Sequence, residues 1–274
     1  MNRGQVHKPV LNISLVLTGM LLSILQYQPK LPYDGEESHH YAQSMSNSIG
    51  RRGQIAPDFE LKTTHDWIGA YVPGWNQGAL DPKKDPALDV IKEFLQFAVY
   101  FRPDDGSLDL RTSELTASKM KGLVKAAHKA SKQVLLVVGG EGAAPGLRIA
   151  ASPKLLQRTA ESIILLVDRY GYDGVDVDWE PLTPQDADLY GGLVGGLRKG
   201  MDELARRQKR QRLALTTAIE VDLNNKDYMT SLVGTLGKLH EALDRINLMT
   251  YAMAIRANFL SYGTTRHFTR VRPG

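Results

Sequence analysis

Six short apolar runs recur along the chain at intervals of about 36 residues, and segments of helical period lie between them. The runs are Trp67–Val72, Leu95–Phe101, Gln133–Val138, Gly174–Trp179, Leu213–Ala218 and Arg245–Tyr251. Helical spacing of apolar residues falls at Met120, Leu123, Val124 and Ala127, at Leu156, Ile163, Ile164 and Val167, and at Leu189, Leu193, Leu197, Met201 and Leu204. Strands that alternate with helices build βαβ units on a parallel sheet. Near-continuous apolar strands such as Val134–Val138 suit a sheet covered on both faces. The expected class is α/β, a (β/α)8 TIM barrel that is incomplete. Eight units need roughly 250 residues, and only about 23 residues follow Tyr251, so the chain holds about six of the eight. A doubly wound open sheet would avoid that deficit, but it carries a phosphate-binding glycine loop after its first strand. Here Pro73-Gly74-Trp75-Asn76-Gln77 follows the first run, and Gly139-Gly140-Glu141-Gly142 after the third is a weak signal by itself.

The flanks differ in character. Arg3, His7 and Lys8 precede an apolar-leaning run from Val10 to Leu25, the pattern of a secretory signal. The run is short for a membrane span, which needs about 20 apolar residues. Residues 1–27 are therefore expected to be a signal peptide or membrane anchor, with a secreted protein as the outcome and membrane contact only through that anchor. Residues 28–64, rich in Ser, Gly, Pro and charge, read as a flexible linker, and His39-His40 within it as solvated. The catalytic barrel is expected over 65–254. Residues 255–274 turn Arg-rich and lose the strand–helix rhythm, an aberrant tail. The net charge is only +4, and the basic cluster Arg206, Arg207, Lys209, Arg210 and Arg212 has no interleaved aromatics, so no nucleic acid is expected as a partner. The absence of cysteine removes disulfides and thiolate metal sites. No metal or cofactor is implied.

The chemistry concentrates in Tyr172-Asp173-Gly174-Val175-Asp176-Val177-Asp178-Trp179-Glu180. Alternate side chains of a strand share a face. Asp176, Asp178 and Glu180 therefore point one way, into the barrel, and Val175, Val177 and Trp179 point the other way, under the helices. Same-face neighbours stand about 6.5–7 Å apart, so three confined carboxylates cannot all ionise cheaply and at least one pKa must rise. Glu180 sits at the C-terminal strand end, where barrel enzymes place their active sites. A protonated acid there is what cleavage of a glycosidic bond requires. The competing readings are a solvated acidic strand, which the interleaved valines oppose, and a calcium site, which draws its ligands from irregular backbone.

The spacing Asp173-x-x-Asp176-x-Asp178-x-Glu180 resembles the DxxDxDxE signature of family 18 glycoside hydrolases, the retaining chitinases. Val137-Val138-Gly139-Gly140 is similar to that family's SxGG segment, with Val137 in place of Ser. Asn247-Leu248-Met249-Thr250-Tyr251 looks like its MxY motif. The resemblance covers about Trp67 to Met253. It implies a substrate-assisted mechanism in which Glu180 is the proton donor, Asp178 holds the sugar's acetamido N–H, Asp176 shares a proton with Asp178, and Tyr251 binds the acetamido oxygen. The substrate is then chitin or a GlcNAc-containing oligosaccharide. Asp173 and Met249 enter as substrate-binding positions with the motifs, and Trp75 and Tyr71, near a strand end, as aromatic platforms for sugar; Tyr100 and Phe101 are weaker candidates.

The chain also departs from the family pattern. Ala252 stands where an Asp commonly follows the strand-six Tyr, and the closing units of the barrel are missing. A frameshift is the expected origin of the tail, to be tested on the nucleotide sequence: codons for Gly263 to Thr269, read one base earlier, can spell Trp-His-Asn-Ser-Pro-Leu-Tyr, which resembles a segment after strand six in bacterial members of that family. An open barrel would expose two sheet edges and lack a wall of the cleft, which predicts weak activity. The alternatives are a non-catalytic carbohydrate-binding relative and an endo-β-N-acetylglucosaminidase acting on N-glycans or peptidoglycan.

Overall fold

The computed structural model describes residues 12–14, 16–18, 68–79, 91–222 and 225–249. The expected linker, the tail with Gly263–Thr269, and Tyr251 and Ala252 lie outside the described residues. All six apolar runs are strands: β3 (Gly69–Pro73), β4 (Glu93–Phe101), β6 (Gln133–Gly140), β7 (Gly174–Trp179), β8 (Ala214–Glu220) and β9 (Arg245–Met249). Each starts within about two residues of its expected place. A two-residue strand, β5 (Leu108–Asp109), pairs antiparallel with β4.

Two further strands come from the apolar N-terminal run. Strand β1 (Asn12–Ser14) pairs parallel with β9, and β2 (Val16–Thr18) pairs parallel with β3. The sheet order is β1-β9-β8-β7-β6-β4-β3-β2, parallel throughout. The sheet remains open, with β1 and β2 at its ends, but β9 and β3 are each paired over three residues. Unpaired strand edges carry rows of N–H and C=O groups that need partners, and here an extended apolar segment of the same chain supplies them. Among the described residues no helix is long and apolar enough to cross a membrane.

The helices are α1 (Ala117–Lys129), α2 (Ala144–Ala150), α3 (Leu156–Tyr170), α4 (Ala187–Gln208) and α5 (Lys226–Lys238). Sequence reading missed α2 and α5: the first is two turns long, and the second buries only Leu232 and Leu236. Local chemistry sets the ends. The Thr116 hydroxyl accepts from the Lys119 N–H to start α1, and Gly171 ends α3 at φ +78°, a conformation that costs glycine least.

The alternation of side chains sorts the core into two bodies. On the outer face Val134, Leu136, Val138, Val175, Val177 and Trp179 pack against helix residues such as Ile163, Leu193, Leu197 and Met201. A smaller inner cluster holds Leu95, Ala98, Leu135 and Val137. Burial at about 25 cal/mol per Å² of apolar surface favours this sorting on every strand and carries the acids of β7 inward. The basic cluster near residue 210 is ion-paired: Arg207 with Asp168 at 2.7 Å, Arg210 with Asp173 at 3.1 Å and Arg212 with Asp244 at 3.0 Å.

Candidate active site

Asp176 stands at the centre of the inner face and is completely buried. Three other strands bring donors to it. The Tyr71 hydroxyl of β3 donates to its Oδ2 at 2.6 Å, the Asn247 amide of β9 donates to Oδ1 at 3.0 Å, and the Thr216 hydroxyl of β8 donates to the same Oδ1. Val137 of β6 lies opposite Asp176 in register and offers it no hydrogen-bonding group. Burial pushes the Asp176 carboxyl above its ordinary value, and Thr216, Tyr71, Arg245 and Asn247 pull it back.

Asp178 lies in a different environment. It is 5% exposed, and among the described residues its Oδ1 has no hydrogen-bond partner. Burial holds its pKa well above the usual carboxylate range, reinforced by the charges of Glu180 and Asp176 and by a hydrogen bond with Glu180. Each of these causes favours the protonated form of Asp178 over its anion. Asp178 and Glu180 are thus two interacting acids at the same strand end, and of the two neighbouring acids Glu180 has the larger effect on Asp178. Glu180 follows the last residue of β7 and is half-buried. Its backbone carbonyl accepts from the Ala144 N–H at 3.0 Å, which ties it to the start of α2.

Glycine makes room for this arrangement. A Cβ on Gly139 (φ +106°) would lie 2.0 Å from the Asp178 carbonyl oxygen, and one on Gly140 (φ +129°) would lie 2.3 Å from the Phe97 ring. Both approaches exclude any side chain, so the Gly139-Gly140 pair lets β6, β7 and the aromatic wall meet.

That wall centres on Phe97. Its ring meets Tyr71, Trp75 and Tyr100 edge-on at centroid distances of 6.4, 5.9 and 6.1 Å. Trp75 is 51% exposed. Tyr100 is half-buried, and its hydroxyl is pushed up to about 12 by burial and by the charges of Asp178, Glu180 and Glu141. It remains a protonated donor beside the acids. Sequence reading missed Phe97, although it shares the inner face with Leu95 two residues earlier; beyond it the register of β4 shifts between Gln96 and Val99, which turns Ala98 and Tyr100 inward as well. Phe101, weighed as a sugar platform, is instead in the outer core.

Other expected positions fall elsewhere. Asp173 is not at the cleft: it precedes β7 at the N-terminal end. Its carboxylate accepts from the Val134 N–H at 2.9 Å and bonds His128 at 2.8 Å and Arg210 at 3.1 Å. Three residues separate it from Asp176, an odd interval, so it cannot share the inner face. Its place in the motif is structural, a correction to the substrate-binding assignment. Tyr71 has its hydroxyl on Asp176, so its hydrogen bond to the acid takes the place of the stacking role expected for it. Met249 ends β9, partly buried, opposite Glu220 in the register. Tyr251 lies outside the described residues.

Buried paired acids at the C-terminal end of a parallel sheet, beside an aromatic wall and a double-glycine approach, form one continuous motif set. The family model for glycosyl hydrolases family 18 matches residues 68–271. The chain belongs to glycosyl hydrolase family 18. A class V chitinase of Medicago truncatula is 28% identical over 122 residues, which cover 43% of this chain and 32% of the relative. Endochitinase 1 of Metarhizium anisopliae is 28% identical over 150 residues, 54% of this chain and 34% of the relative. This family 18 chain spans about a third of the length of the curated relatives it matches. In fold it is similar to the class V chitinase from Nicotiana tobaccum, with TM-score 0.54 and 23% identity over 67% of this chain and 51% of that one. It is likewise similar to a family 18 N-acetylglucosaminidase from Paenibacillus barengoltzii, with TM-score 0.56 and 24% identity over 69% and 54%. The curled parallel sheet with outer helices is the incomplete TIM barrel of this family.

Proposed function

We propose that the chain hydrolyses β-1,4-linked N-acetylglucosamine polymers, with retention of configuration and with the substrate's own acetamide as nucleophile. The observation that carries the reading is a buried acceptor, Asp178 Oδ1, which has no hydrogen-bond partner among the described residues, beside Glu180 at the C-terminal end of β7. An empty buried acceptor favours a ligand that brings a donor, and an acetamido N–H is such a donor. Glu180, half-buried just after β7, is placed to give a proton to a leaving group at the mouth of the sheet.

The steps balance as follows. Glu180 gives its proton to the glycosidic oxygen as the bond to the anomeric carbon breaks. The acetamido carbonyl oxygen bonds that carbon from the opposite face and forms an oxazolinium ion, whose N–H is held by Asp178 Oδ1. Electrostatic stabilisation by the buried carboxylates, Asp176 with its three donors included, offsets the positive charge. Water then loses a proton to Glu180 and attacks the same carbon, which reopens the acetamide and restores the acid. Trp75 offers an exposed aromatic face to a sugar ring, and Tyr251 is proposed to bind the acetamido oxygen.

The test is turnover of a chromogenic N-acetylglucosamine oligomer by the chain, compared with Glu180→Gln, and with a matched oligomer that lacks the acetyl groups. Turnover of the acetylated substrate alone, abolished in Glu180→Gln, is the expected result. Equal turnover of both substrates would remove substrate assistance, and oligomer binding without turnover would favour the carbohydrate-binding alternative.

Export, by a cleaved signal or a retained anchor, is a separate proposal resting on the composition of residues 1–27. The mass of the protein recovered from secreting cells tests it. Loss of residues 12–18 would also remove the strands that pair β3 and β9.

A further inference from the structure

A buried polar chain crosses the inside of the sheet below the acids. Glu93 of β4 is 1% exposed and forms an ion pair with Arg245 of β9, whose NH1 also reaches Glu93 Oε2 at 3.4 Å. The Arg245 Nε donates to Asn247 Oδ1 at 2.9 Å, and the Asn247 Nδ2 donates to Asp176 Oδ1 at 3.0 Å. The order of these groups has one chemical consequence. A guanidinium can only donate, so it accepts no hydrogen from an amide NH2. Arg245 therefore holds the oxygen of Asn247 toward itself, and the NH2 must face Asp176. A neutral Asn left to itself can turn either end toward a carboxyl group; this one cannot.

We propose that Arg245 is a positioning residue that acts through Asn247, locking its amide so that the NH2, and not the oxygen, meets Asp176 and favours the charged form of that acid. The remaining groups around Asp176 agree with this assignment. Tyr71 from β3 and Thr216 from β8 donate to it. Asp178 on its own strand and Glu93 from β4 are acids whose charges oppose its ionisation. Tyr190 from α4 feels its charge through the sheet, with its own hydroxyl on Thr217 at 2.9 Å. Arg245 is the cation of this group, and both it and Asn247 favour the charged form of Asp176. Glu93 anchors Arg245 in turn, which accounts for a buried glutamate at the start of β4.

The inference rests on the proposed catalytic reading of the acid stripe, but its test needs no turnover. The titration of Asp176 is followed by carboxyl carbon NMR of aspartate-labelled full-length chain, in the native protein, in Asn247→Leu, and in the double variant Glu93→Gln/Arg245→Gln. The double variant removes the ion pair as a unit, so no buried charge is left alone, and it serves if Asn247→Leu does not fold. The Asp176 midpoint should rise by about one pH unit in each variant, a roughly tenfold gain in proton affinity. Combining all three substitutions should add little beyond Asn247→Leu, since the amide is then already gone. A midpoint within about 0.2 units of the native value in either folded variant, too small to reflect a lost charge-assisted hydrogen bond, overturns the inference. A raised midpoint in an inactive chain would sink the proposed activity and leave this lock standing; an active chain with an unmoved midpoint does the reverse.

Discussion

The two ends of β7 carry the same residue type in opposite conditions. At the N-terminal end Asp173 meets a backbone N–H, a histidine and an arginine, so its carboxylate is fully supplied with donors. At the C-terminal end Asp178 is more deeply buried, has one oxygen without a partner among the described residues, and faces another acid. The first arrangement stitches β6, β7 and the α4–β8 connection together. The second is costly to the folded state and leaves an acceptor for a ligand. A satisfied acid supports the fold and a frustrated one supports chemistry, which is the usual trade between stability and activity at a site.

Substitutions can break this contrast. The largest effect is expected at the frustrated end: under the proposed mechanism Glu180→Gln should lower kcat by about 10²- to 10⁴-fold, with little change in Tm. A comparable loss of Tm would mean that Glu180 holds the fold and that the contrast is false. At the satisfied end Asp173→Ala should destabilise the protein by about 1–3 kcal/mol, because a buried N–H and a cation lose their acceptor. Denaturant unfolding reads this, and kcat per folded molecule should not move. A fall in kcat at constant stability would return Asp173 to the cleft.

Trp75→Ala should raise KM by about 3- to 10-fold, the scale of one aromatic contact of about 0.5–1.5 kcal/mol, with kcat held. An unchanged KM would leave Trp75 as a surface residue. The smallest shift is in the pH dependence of stability. The folded pKa of Asp178 lies above its unfolded value of about 3.9, so the folded state binds the proton more tightly. Stability is then greatest below that unfolded value and falls as pH rises through the folded value. Asp178→Asn should flatten this part of the Tm profile and raise Tm at neutral pH. A steeper decline with pH in the variant would show that the burden lies on another group.

Much of this was legible in the chain itself. A period of two in the β7 segment puts Asp176, Asp178 and Glu180 on one face, and the same parity excludes Asp173 from it, a signal available in the sequence but overridden by the motif. Phe97 keeps the period of two from Leu95 and was readable from it, whereas Ala98 and Tyr100 turn inward only because the register of β4 shifts between Gln96 and Val99. The second tier of the site was not readable at all. Tyr71, Thr216 and Asn247 reach Asp176 from separations of 105, 40 and 71 residues, and nothing local in those segments marks them as partners of an acid.

Sequence alone determined the parallel αβ order, the inward stripe of acids and the glycines beside it, because periodicity and steric freedom are properties of neighbours along a chain. Only the tertiary structure decided which acid is saturated and which is left wanting, and how Arg245 turns one amide. Those depend on donors and charges that distant strands bring within about 3 Å, and hydrogen bonding in a closed interior is set by that convergence rather than by any local pattern.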